Sequence, residues 1–247
     1  MIAKRVPLAL ALLVLTPVAA AAQTINLDTI FPAGDASVSG RIVQLLVVMT
    51  VLSVAPGLLM MVTSFARFVI ALSFLRSGLG LQTTPSNLIL VSLALFMTMF
   101  VMAPTFQAAW ENGVKPMVEN KISQQDGYTR TTEPFRAFMK ANVREKDIAI
   151  FQDMAATRLG EKTVAAPDDL RVLIPAFMIS ELRRGFEIGF LVTLPFLVID
   201  LVVATIMTAM GMMMMPPTVV SLPLKILFFV LVDGWSLLVG ALVKSFS

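Results

Sequence analysis

The sequence predicts an all-α, membrane-associated protein built of kinked helical hairpins, with one small helical insertion outside the cytoplasm. Three observations predict it. Apolar residues make up 57% of the 247 residues and charged residues 14%, with a mean hydropathy of +0.85; a soluble domain carries about a quarter charged residues. Two long runs, 42–66 and 77–110, hold no charge, whereas 111–171 holds ten basic and ten acidic side chains. Beyond that segment, Asp200, Lys225, Asp233 and Lys244 cut the apolar sequence at short intervals.

The N-terminus reads as a targeting segment. Lys4 and Arg5 precede the apolar run 6–18, and Ala20-Ala21-Ala22 supplies a small-residue cleavage site. The run is too short for a retained span of about 20 residues, so 1–22 is read as a cleaved signal peptide. Residues 23–41 then form a polar extracytoplasmic stretch. Residues 42–110 hold the first pair of apolar helices, the first interrupted by a kink or break at Pro56-Gly57. Arg67 and Arg76, between the two runs without an acidic neighbour, favour a cytoplasmic loop.

Residues 111–185 form the charged helical segment, placed in the periplasm by two preceding crossings. Thr132-Glu133-Pro134 starts one helix there, with Pro suited to a first turn. A second covers 145–158, with Ile148, Phe151 and Met154 at helical spacing. A third starts at Pro167-Asp168-Asp169, where carboxylates complement the helix dipole.

Residues 186–247 form a C-terminal hairpin whose turn is the Met-rich loop 210–217, "MGMMMMPP". Neither arm has eighteen clean apolar residues. An ionised group at a bilayer centre costs at least about 2.5–3.5 kcal/mol, so these arms are expected against protein or an aqueous path.

Asp200 lies eleven residues before Gly211, about 17 Å of helix, and Lys225 eight residues beyond Pro217, about 12 Å. The two are read as a packing ion pair across the hairpin, ahead of snorkelling ends or a proton relay. Glu181, Arg183, Arg184 and Glu187 cluster in "SELRRGFEIGF". They are read either as an anchor solvated by headgroups and water or as possible inter-subunit charges. Gly185 and Gly189 permit close helix approach.

The chain has no Cys and no His. That excludes disulfides, thiolate or imidazole metal sites, Cys nucleophiles and His-based triads. A thioether site for Cu(I) is conceivable in the Met run, but consecutive residues on a turn cannot all face one ion. Irregular backbone at membrane depth is tolerated only inside protein or along a cavity. A loop lining a conduit is therefore preferred to core filling.

Two stretches, "PAFMISELRRGFEIGF" (175–190) and "PLKILFFVLVDGW" (223–235), resemble the two signatures of the FliP family, and the similarity runs along essentially the whole chain. The resemblance implies a pore-forming core subunit of the flagellar type III protein export gate, passing unfolded flagellar subunits across the bacterial inner membrane. It implies a pentameric ring combined with FliQ and FliR at the basal body, cooperating with FlhB and FlhA, without enzymatic activity, metal or cofactor. Asp200 and Lys225 match family positions linked to ring packing. Virulence-type relatives share the signatures but generally lack the leader and have a shorter middle segment, so the sequence leans flagellar. In such a ring Met210, Met212, Met213, Met214 and Met215 would form a pore gasket, apolar enough to dewet a constriction and unbranched enough to repack. The alternative class, a small-solute or proton-coupled transporter, usually shows internal repeats, and the two halves here differ in charge pattern.

Overall fold

The computed structural model describes residues 38–159, 169–212 and 214–246. The expected signal peptide, most of the 23–41 stretch, Pro167-Asp168 and Met213 lie outside the described residues. All regular structure among the described residues is helical: α1 (Val38–Met61), α2 (Phe65–Gly78), α3 (Asn87–Ala109), α4 (Lys115–Val118), α5 (Gln124–Asn142), α6 (Glu145–Leu159), α7 (Leu170–Ala209), α8 (Thr218–Leu231) and α9 (Gly234–Lys244). A π-helical turn at Trp110–Val114 joins α3 to α4.

The chain divides into two units, Met1–Val51 and Leu52–Ser247. In the first, the described residues are helical and expose Val43, Leu46, Val47 and Met49. The core described below belongs to the second.

In that unit α2 packs along α7, and α3 packs against α2. The apolar residues of α2 recur at helical spacing: Phe68, Ala71, Leu72 and Leu75 are buried, with Leu79 just beyond its end. They meet Leu90, Ala94 and Met97 of α3, Phe196 of α7, Phe229 of α8, and Leu238 and Leu242 of α9. A second cluster joins Met139 of α5 to Leu173 and Phe177 of α7. Among the described residues two continuous stretches, Asn87–Val118 and Leu170–Ala209, are long and apolar enough to cross a membrane, and up to four if each bent helix pair counts as one span.

Several expectations change. The first apolar run breaks after Met61, not at Pro56-Gly57, since α1 continues through that dipeptide. Thr63 and Ser64 are buried at the break, and the Phe65 N–H donates to Thr63 Oγ1 at 3.5 Å. Short hydroxyl side chains compete with helical bonding in this way. Arg67 and Arg76 stand on α2 rather than in a loop, because the apolar period of 68–75 continues the helix through them. The connection runs instead from Leu79 to Ser86.

In the charged segment, the helix expected from Thr132 begins at Gln124. Ser123 caps it, its Oγ accepting from the Asp126 N–H at 3.1 Å. A Ser N-cap with an acidic third residue outweighs a later Pro, and Pro134 is carried inside α5. The third helix begins after Asp169, which accepts from the Arg171 N–H at 2.9 Å. Hydrogen bonds from the Arg171 side chain and backbone hold the Asp169 carboxyl below its ordinary range. From there α7 runs 40 residues without interruption through Pro175 and Pro195, about 60 Å at 1.5 Å per residue. One helix thus joins the charged segment to the first arm of the C-terminal hairpin.

Candidate functional site

The hairpin of α7 and α8 carries the residues singled out by charge and by methionine. Lys225 of α8 is buried, and its Nζ donates to Asp200 Oδ2 of α7 at 2.6 Å and to the Gly78 carbonyl of α2 at 3.0 Å. An ammonium on this apolar hairpin therefore has a carboxylate and the C-terminal end of α2 as acceptors, both suited to a cation. Asp200 remains partly exposed, and its Oδ1 has no hydrogen-bond partner. Three helices meet at this lysine.

Beyond the pair, the hairpin ends in its methionine loop. The Gly211 N–H donates to the Thr208 carbonyl and the Met212 N–H to the Met207 carbonyl, each at 3.0 Å. With Gly211 at φ 73°, this is a Schellman stop, which requires a residue tolerant of left-handed backbone. Pro216 and Pro217 start α8, their carbonyls accepting from the Val219 and Val220 N–H groups. Met210, Met212, Met214 and Met215 are exposed, Met214 completely, while Met207 one turn earlier is buried. The helix stop thus separates a core methionine from methionines exposed at the surface of their own chain.

The "SELRRGFEIGF" charges divide. Arg183 and Glu187 pair at 2.8 Å on the exposed face of α7, and Arg184 is half-buried. Glu181 turns inward and is fully buried. Its partner is Arg67, carried on α2. Arg67 Nε donates to Glu181 Oε2 at 2.8 Å, and Nη2 bonds Oε1. Arg67 Nη1 donates to the Ser245 carbonyl and Oγ at 2.9 and 2.8 Å, and the guanidinium carbon lies 3.5 Å from the Phe246 ring centroid. One arginine ties α2, α7 and the end of α9 together. The signal was present in the sequence: a single charge inside the apolar period Phe65–Leu75, which demands a buried partner.

Close approach of α2 and α7 depends on glycine. A Cβ at Gly189 would sit 2.7 Å from Phe74 Cβ, and one at Gly185 3.1 Å from Ile70 Cβ.

The profile of the FliP family matches residues 48–242. "Flagellar biosynthetic protein FliP" of Rhizobium meliloti (strain 1021) is 61% identical, over 92% of this chain and 93% of the relative. The protein of the same name from Agrobacterium fabrum is 58% identical, over 96% and 97% respectively. That from Bacillus subtilis (strain 168) is 48% identical, over 88% and 97%. Matched along nearly its full length by the family profile and by these relatives, the chain belongs to the FliP family.

Proposed function

We propose that this chain is a pore-forming subunit of the flagellar type III protein export gate, and that its methionine loop is the pore seal. In this reading several copies, five by family resemblance, form a ring in the inner membrane at the basal body with FliQ, FliR, FlhB and FlhA as partners. The charged helices α5 and α6 face the periplasm. The ring acts as a conduit rather than a catalyst, and unfolded flagellar subunits pass along its axis. Asp200 and Lys225 act as a packing pair that aims the hairpin tip.

The observation that carries the reading is the exposure of Met210, Met212, Met214 and Met215 at the tip of a hairpin held by a buried lysine. A closed export pore must stop water and ions, and an open one must accept any side chain. Methionine is apolar enough for the first demand and deformable enough for the second. Leucine or isoleucine would seal but adapt less; serine or glycine would adapt but leak.

Ion conductance across the membrane tests the proposal. Deleting 212–215, or replacing those residues with Gly, is expected to raise conductance while the ring still assembles. A deletion that assembles normally and stays as tight as the parent overturns the seal.

A further inference from the structure

A cavity of about 450 Å³ opens between the start of α6, the middle of α7 and the end of α9, lined by Arg144, Arg183, Arg184, Glu187, Ile188 and Ser245. Three guanidinium groups face one carboxylate. Glu187 is committed to Arg183, and neither Arg144 nor Arg184 has an ion-pair partner among the described residues. The other nearby carboxylates are engaged inside the core, Glu181 by Arg67 and Asp147 by the Ser180 hydroxyl.

The walls of this cavity are held in place. The Arg144 N–H donates to Ser180 Oγ at 3.1 Å, and the buried Ser180 hydroxyl donates to Asp147 Oδ2 at 2.6 Å, fastening the start of α6 to α7. Ser245 is fixed from behind by Arg67 Nη1. The cationic groups therefore project from an organised backbone, which reduces the ordering cost of binding.

The surface beyond the cavity is apolar. Along α7 from Arg183 and Glu187, Leu191, Leu194, Val198 and Val202 follow at helical spacing, and all four are exposed. From Leu191 to Val202 this stripe extends about 16 Å, close to one leaflet of a hydrocarbon core about 30 Å thick. Planar guanidinium groups suit phosphate oxygens, and basic pockets among membrane helices suit anionic headgroups.

We propose that this pocket binds an anionic phospholipid, with its phosphate held by Arg144 and Arg184 and an acyl chain along the Leu191–Val202 stripe. Charge complementarity selects the headgroup, and the stripe selects a lipid over a free anion. Glu187 lowers affinity by holding Arg183 away from the phosphate.

Native mass spectrometry of the purified full chain tests this in three mixtures: detergent with phosphatidylglycerol, with phosphatidylcholine, or with inorganic phosphate alone. Phosphatidylglycerol is expected to be retained and the other two not. Arg144→Gln with Arg184→Gln is expected to weaken phosphatidylglycerol binding about tenfold or more. Glu187→Gln, which frees Arg183, is expected to strengthen it, so the proposal stays testable if the double variant fails to fold. Equal retention of phosphatidylcholine overturns the proposal. Inorganic phosphate bound as tightly overturns it in favour of a free-anion site. Unchanged binding in both variants also overturns it. So does loss of the lipid when copies of the chain associate, which would give the pocket to a neighbouring subunit.

Discussion

Arg67 and Glu181, separated by 114 residues, form a two-pronged ion pair from which both side chains are fully excluded from solvent. The pair joins α2 to α7, the two helices whose contact organises the second unit. Its geometry answers the desolvation cost of both charges: the carboxylate receives two guanidinium donors, and the remaining nitrogen reaches Ser245. Phe246 covers the guanidinium face. A buried pair is weak evidence of net stability, because desolvation can exceed the Coulombic gain. It is strong evidence of register, since only one alignment of α2 on α7 lets both charges be satisfied.

Removing one member should therefore cost far more than removing both. Arg67→Met or Glu181→Leu alone leaves an uncompensated buried charge and is expected to destabilise by about 3–5 kcal/mol. The double variant Arg67→Met with Glu181→Leu is expected to recover most of that loss. Chemical or thermal unfolding of the detergent-solubilised protein measures the three changes. Single and double variants equally unstable would show that the apolar lining cannot replace the pair.

The Asp200–Lys225 pair predicts an asymmetry. Asp200 is partly exposed, so in Lys225→Ala its carboxylate can recover water. Lys225 is buried, so in Asp200→Ala its ammonium keeps only the Gly78 carbonyl. Both variants should impair ring assembly, Asp200→Ala more severely. The exchange Asp200→Lys with Lys225→Asp should restore part of it, because the charge pair returns while the bond to Gly78 is lost. Complex size by chromatography or mass spectrometry reads the result. Single variants that assemble normally but abolish export would point instead to proton transfer through these residues.

Gly189 predicts a steric cost with no change of charge. Gly189→Ala places a methyl group 2.7 Å from Phe74 Cβ, so α2 and α7 must separate, which also draws Phe74 away from its edge contact with Phe186. Overpacking of this kind costs about 1–3 kcal/mol. The measured loss should shrink in the background Phe74→Gly, which removes both the Cβ and the ring that the new methyl group meets. A loss unaffected by that background would place the strain elsewhere.

Composition, charge spacing and hydropathy expose the helical class, the hairpin and the pairing of Asp200 with Lys225, because those features depend on local sequence. The Arg67–Glu181 pair was less legible. Its halves lie on separate helices, and charge spacing alone suggests a loop at Arg67 although Phe68, Ala71, Leu72 and Leu75 mark a buried helical face through it. Glu181 groups with Arg183, Arg184 and Glu187 only by proximity in sequence. A helix turns about 100° per residue, so neighbours only two apart face nearly opposite ways, one into the core and one to the surface. The break after Met61 was masked for a related reason: Pro56-Gly57 is the stronger local signal, while Thr63 and Ser64 act through burial that no local pattern reveals. The methionines were conspicuous in sequence, but their exposure depends on where the Schellman stop ends α7.

That stop gives the last prediction. Gly211 sits at φ 73°, and a Cβ there would meet nothing within 4 Å, so substitution acts through backbone strain alone. A β-branched residue resists left-handed backbone, whereas Asn adopts it with little difficulty. Gly211→Val is therefore expected to cost about 1–2 kcal/mol and to relax by unwinding the last turn of α7, shifting Met212 and Met214. Gly211→Asn should leave stability and loop position near those of the parent. Because the Asp200–Lys225 pair lies far from the stop, Gly211→Val should still assemble. If the methionines seal a pore, it should also leak ions, with Gly211→Asn staying tight. Paired conductance and assembly measurements separate the outcomes: leakage from both variants would show that the glycine matters for space rather than conformation, and tight closure by both would show that the seal does not depend on where this turn holds its methionines.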